Sequence, residues 1–106
     1  MRAGHIVIFV TCSSREEAET IAGALLSGKI AACANIIPDV KSNFWWKGRI
    51  DSADETLLVL KTTKRNFRKA EKAVRRLHSY EVPEIIALPI AAGSKAYLGW
   101  ITKSVK

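Results

Sequence analysis

Cys12, His78, Tyr80, Glu81 and Glu84 are the side chains whose types could hold a metal or move a proton. Four of them fall in one stretch, His78 to Ile86 (HSYEVPEII), which gathers an imidazole, a phenol and two carboxylates around Pro83. Cys12 closes an earlier apolar run, HIVIFVTC. A thiol and an imidazole can act as nucleophile and base, or as a soft-to-borderline metal site suited to copper or zinc. Their spacing does not bring them together by itself, and two buried structural residues is the reading it favours. Glu81 and Glu84 flank Pro83; in an extended loop they project to different sides and make no catalytic carboxylate pair. One can cap backbone N–H groups or pair with a basic helix, while the other can join a site with His78 and Tyr80. Cys33 lies inside an apolar run and reads as core.

The elements that must position these groups are marked along the chain. His5 to Cys12 is β-branched and apolar on both alternations, which predicts a central strand covered on both faces. Ser13 and Ser14, each followed three residues on by a glutamate, can cap a helix running to about Ser27. Ala18, Ile21, Ala22 and Leu25 give that helix one apolar stripe, and Gly28 is expected to supply a left-handed stop. Ile30 to Ile37 reads as a strand interrupted at Pro38-Asp39 and resumed over Ser42 to Trp46, with a bulge or an edge position at the proline. Lys47-Gly48-Arg49, next to Asp51 and Ser52, reverses the chain into Glu55 to Thr62, making a long hairpin. Thr63 can cap a second helix with Phe67, Ala70, Val74 and Leu77 inward. Pro83 forces the chain extended after His78, and a strand from Glu84 to Ala91 follows. Gly93-Ser94 starts a last helix with Tyr97, Leu98, Ile101 and Val105 inward. The order βαββαβα is the α+β, ferredoxin-like plan βαββαβ with a C-terminal helix.

Helices then cover one face of an antiparallel sheet. The other face carries too much Ile, Leu and Val for water, so oligomerisation is expected. Phe44, Trp45 and Trp46 point in the same direction of argument. Neighbours on a strand alternate faces, so at least one ring faces away from the chain's own core. Burial of such a ring stabilises by roughly 1.5–3 kcal/mol, which favours packing at a subunit interface over a base-stacking platform. The helix 64–78 carries Lys64, Arg65, Arg68, Lys69, Lys72, Arg75 and Arg76 against the single acid Glu71. Arg65, Arg68, Lys69, Lys72 and Arg76 share one side. This invites nucleic acid as a partner, but the basic-Gly-aromatic strand signature of RNA-binding folds is absent from ETLLVLKT, and a solvated helix face is favoured.

The 106 residues fit one domain, 1–106, and the formal charge of +7 favours acidic partners without choosing among them. Cys12 and Cys33 match no zinc spacing and no CxxC pair; both are expected as reduced thiols in a cytoplasmic protein. No apolar run approaches the ~18 residues of a membrane span. Met1-Arg2 before IVIFV mimics a signal peptide, but the apolar part is too short and no small-residue cleavage site follows, so no targeting segment is readable.

ACANIIP at 32–38, SNFWWKG at 42–48, LKTT at 60–63, HSYEVPE at 78–84 and GSKAYLGWI ending at Ile101 together resemble the CutA family, the divalent-cation tolerance proteins, from about Val10 to Ile101. The resemblance implies a ferredoxin-like protomer in a compact homotrimer whose hairpin crosses subunit boundaries, with Phe44, Trp45 and Trp46 at the interface. It implies tolerance of copper and other divalent cations, through metal binding or an unidentified signalling activity, without established catalysis. Cys12 matches a cysteine that some bacterial members present to copper, and His78 matches the histidine of the motif H-P-Y-x-x-P-E. Leu77 stands where some copper-linked members carry a second histidine, and Ser79 stands where the motif has proline. Cys12 and His78 are fewer ligands than a tight transition-metal site uses, so Glu84, Glu81 or a neighbouring subunit would have to complete the set. Two other classes stay open: a nucleic-acid binder using the basic helix, and an enzyme or sensor of an anionic small molecule in a subunit cleft, with His78 or Tyr80 as acid–base group.

Overall fold

The computed structural model describes residues 4–106; Met1-Arg2, weighed above as a signal-peptide mimic, lies outside them. The described chain runs β1 (His5–Cys12), α1 (Arg15–Ser27), β2 (Cys33–Trp46), β3 (Arg49–Thr63), a 3-10 turn (Lys64–Asn66), α2 (Phe67–Leu77), β4 (Ile86–Pro89) and α3 (Lys95–Ser104). The four strands form one antiparallel sheet in the order β2-β3-β1-β4. That is the α+β, ferredoxin-like arrangement expected from the element order.

Alternation in β1 sets the two faces. Ile6, Ile8, Val10 and Cys12 are buried against α1 and α2, together with Leu58 and Leu60 of β3 and Ile21, Leu25, Ala70 and Val74 of the helices. The intervening residues are only half-buried, so β1 is central but covered on one face by its own chain, not on both. The open face carries Val7, Phe9 and Val59, with Ile37, Ile86 and Leu88 each more than two-fifths exposed. α3 reaches one end of this face, where His5 Nε2 meets Thr102 Oγ1 at 2.8 Å.

Several boundaries differ from the sequence reading for local reasons. Gly28 is right-handed at φ −80, and Lys29 takes the left-handed conformation at φ 57. Ile30 and Ala31 turn back to donate to Leu25 O, so β2 starts at Cys33 and not at Ile30. At Pro38 the expected bulge and edge position are both found: the register slips between Ile37 and Val40, Asp39 takes φ 63, and the strand continues as a bulged edge. The reversal is confined to Lys47 and Gly48, both at positive φ (52 and 77), which makes a type I′ two-residue turn. Asp51 and Ser52 therefore lie in β3, paired with Phe44 and Asn43. Thr63 makes no side-chain cap, and its buried Oγ1 is unpartnered among the described residues. β4 is limited to four residues, ending at the ladder-breaking Pro89. Ser94 caps α3 by accepting from Tyr97 N–H; Ile101 and Val105 are buried, but Tyr97 is 42% exposed and not inward.

Candidate functional site

The end of β1, the start of α1 and the end of α2 meet at one corner. Ser14 caps α1 by accepting from Glu17 N–H at 3.1 Å, and this cap aims the Glu17 side chain back over the β1–α1 joint. There Glu17 Oε1 accepts from Ser13 N–H (2.9 Å) and Ser13 Oγ (3.1 Å). Glu17 Oε2 accepts from Ser79 N–H at 2.7 Å. Burial alone would raise the Glu17 pKa, but the bonds from Ser13 and Ser79 outweigh it and hold the carboxyl below its ordinary value. The Ser79 bond depends on this residue not being proline, which has no N–H to donate. Where the motif carries proline, this chain has a tie from the α2–β4 loop to α1.

His78 is the last residue before that loop turns, and its side chain is fully enclosed. Nε2 donates to Thr11 O at 2.8 Å, and Nδ1 accepts from Tyr80 N–H at 3.0 Å. Because a backbone N–H can only donate, Nδ1 bears no proton and the imidazole is the Nε2–H tautomer. Tyr80 continues the network by donating its phenol to buried Glu55 at 2.7 Å. Burial first, and the Glu55 bond second, push the Tyr80 pKa up to about 12. Pro83 thus does what the sequence suggested: it lets the chain leave α2 extended, while His78, Ser79 and Tyr80 bolt the turn to β1, α1 and β3.

Cys12 and His78 are brought together, and the third member of their group is Glu17: one ligand atom from each lies within 4.8 Å of the others. Glu84 does not join this group; it stands outside the corner, where its Oε1 accepts from Thr11 Oγ1 at 3.5 Å. Glu81 is exposed and forms no hydrogen bond or ion pair among the described residues. Sequence reasoning assigned Glu17 to a cap and missed its place in the cluster. The signal was present in its position one helical turn beyond the end of the strand that carries Cys12.

The three groups do not fit a resident metal ion as they stand. Burial above all, then the negative charges of Glu17 and Glu55, push the Cys12 pKa up to about 12, so the sulfur holds its proton. The one imidazole lone pair is taken by Tyr80 N–H, and the Glu17 oxygens are taken by Ser13 and Ser79. The arrangement holds protons and fixes a loop. A direct consequence is selective thiol chemistry: at pH 8 the Cys12 thiolate fraction is far below that of an ordinary cysteine. In timed labelling with a chromogenic disulfide reagent, Cys12 is expected to stay silent until the protein unfolds. A Cys12 that reacts in the native protein as fast as in the unfolded chain would contradict the geometry.

The other predicted features are also located. Trp45 and Ile50 pair across the hairpin on one face, and Phe44 and Trp46 lie on the other; Trp45 is 72% and Ile50 69% exposed. Among the described residues no α2 cation pairs with a carboxylate.

An antiparallel four-stranded sheet with two helices on one face, a long projecting hairpin and a third helix at the end of the open face defines a ferredoxin-like α+β protein. Its buried polar corner holds the HSYEVPE motif at 78–84. Residues 6–104 match the family described as CutA1 divalent ion tolerance protein. The chain belongs to this CutA family of divalent-cation tolerance proteins, as its motifs indicated. It is 45% identical over 102 residues to the divalent-cation tolerance protein CutA of Archaeoglobus fulgidus, covering 96% of this chain and 99% of that one. The solved structure of the divalent cation tolerance protein from Thermus thermophilus superposes with a TM-score of 0.94 at 43% identity, covering 96% of this chain and 99% of the other. The rice protein CutA 1 is 40% identical over 101 residues, which span 95% of this chain but 57% of the longer relative.

These relatives overturn the cytoplasmic assignment. The Archaeoglobus fulgidus structure is described as periplasmic and the rice protein as chloroplastic. The assignment rested on the lack of a readable targeting segment and on unpaired cysteines, and Cys12 is sealed in the core, where its being unpaired carries no information about compartment. No helix among the described residues is long and apolar enough to cross a membrane.

Proposed function

We propose that this chain works as a homotrimeric divalent-cation tolerance protein of the binding or signalling class, without catalysis, and that its direct contact with cations is weak. The observation that carries the assembly is the unfinished surface of the single chain. One sheet face is apolar, and the hairpin tip exposes Trp45, Trp46 and Ile50, rings and branched carbon on both sides of a ribbon. A surface apolar on both sides of a projecting ribbon is satisfied by insertion between neighbours. Light scattering on the parent protein should return three times the chain mass; a monomer at micromolar concentration would remove the proposal.

Weak cation binding is supported by the state of Cys12, Glu17 and His78. An ion entering there, with or without help from Glu84, has to displace the proton of Cys12 and the Tyr80, Ser13 and Ser79 hydrogen bonds. Leu77 leaves the corner without the second imidazole that the motif comparison would supply. Calorimetric titration with Cu(I) and Cu(II) is expected to give low affinity, reduced further in Cys12→Ala and in His78→Ala. Affinity unchanged in both variants would place cation binding elsewhere on the chain.

A further inference from the structure

Lys61 interrupts the apolar open face. It lies between Cys33 on β2 and Val7 on β1, and from that row to the Ile37–Leu57–Thr11 row it is the only paired residue of this face with a formal charge. No carboxylate among the described residues is within ion-pair distance of it. Among the described residues its ammonium donates to the Asn35 side chain alone, at Oδ1. An ammonium can only donate, so the Asn35 amide is oriented by this bond, and the Cys33 thiol points to the same oxygen at 3.8 Å. The amide NH2 is thereby turned away from Lys61 and makes no hydrogen bond among the described residues. The cluster therefore offers an ammonium and an amide NH2, while its one amide acceptor is already used.

We propose that Lys61 and Asn35 form an inter-subunit subsite for the oxyanion group of a small ligand, a carboxylate or a phosphate, completed when further copies of the chain cover the open face. This rests on the trimeric reading above. Covering the face strips water from an ammonium that has no counter-charge in its own chain, and such a charge is tolerated only with an anion beside it. A donor-only cluster selects an oxyanion over a cation or a neutral acceptor-free ligand.

The test uses the full chain, titrated calorimetrically with succinate and with inorganic phosphate at ionic strength held constant by sodium chloride, with light scattering on the same samples. The assembled parent is expected to bind one of the two probes, and which one it binds separates carboxylate from phosphate recognition. Lys61→Met should stay assembled and bind at least about tenfold more weakly, whereas Lys61→Arg keeps binding. If Lys61→Met does not assemble, Asn35→Ala is judged by the same loss of affinity. An assembled parent that binds neither probe overturns the subsite, leaving a carboxylate of a neighbouring copy as the counter-charge. Undiminished binding in Lys61→Met and Asn35→Ala overturns it as well. A monomeric parent defeats the trimeric reading itself, so the two failures are told apart.

Discussion

A chain carrying Trp45→Ala together with Trp46→Ala is expected to remain folded and to scatter light as a monomer at concentrations where the parent is assembled. The two rings are 72% and 55% exposed in the single chain, so their removal takes little from the chain's own core. In the proposed trimer each buried ring is worth roughly 1.5–3 kcal/mol, so each subunit loses about 3–6 kcal/mol of association energy. That corresponds to about two to four orders of magnitude per subunit in the trimer's association constant. Because the rings lie on opposite faces of the ribbon, either single substitution should give a partial effect. Circular dichroism separates loss of assembly from loss of fold. A double variant that stays trimeric at micromolar concentration would show that the hairpin tip is not the contact.

Glu17→Ala should give the largest loss of stability of any single substitution at the polar corner. It removes the acceptor for Ser13 N–H, Ser13 Oγ and Ser79 N–H at once, and with it the tie between the α2–β4 loop and α1. Hydrogen bonds to a charged group contribute about 1.5–3 kcal/mol each, and solvent can reach Ser13 and Ser79 after the change, so a net loss of about 2–4 kcal/mol is expected in urea denaturation at neutral pH. The effect is linked to acid. The folded-state pKa of Glu17 lies below its unfolded value of 4.5, so the folded form binds its proton less readily than the unfolded form. Its stabilisation is complete above the unfolded value and is lost as pH falls through the folded one. The stability gap between parent and Glu17→Gln should therefore be constant at neutral pH and shrink in acid. A gap that is the same at pH 7 and pH 3 would show that the Glu17 charge does not hold the corner.

The fold was legible because each element is announced by local chemistry. The Ser14 cap, the 3.6-residue stripe of α1 and the β-branched runs of β1 and β3 agree with one another, and consistency of that kind specifies a single arrangement. The errors fall where local chemistry permits two outcomes. Gly28 could have taken the left-handed position, but Ile30 and Ala31 fold back onto Leu25 and the conformation passes to Lys29. Tyr97 fits an inward helical period, but α3 covers only the end of the sheet and leaves the ring half outside.

The sequence by itself determined the composition of the polar corner: one thiol, one imidazole and a proline that forces the turn are read directly from Cys12, His78 and Pro83. It determined as well that apolar residues exceed what one face of the sheet can bury. Only the tertiary structure decided that Glu17 and not Glu84 completes the cluster. A carboxylate's place depends on which strand end meets which helix cap, and that meeting is set by long-range packing. The structure alone also decided that the cluster is spent on hydrogen bonds. Whether a lone pair is free depends on its neighbours in space, and the neighbours of His78 are Thr11 and Tyr80, held against it by β1 and by the turn at Pro83.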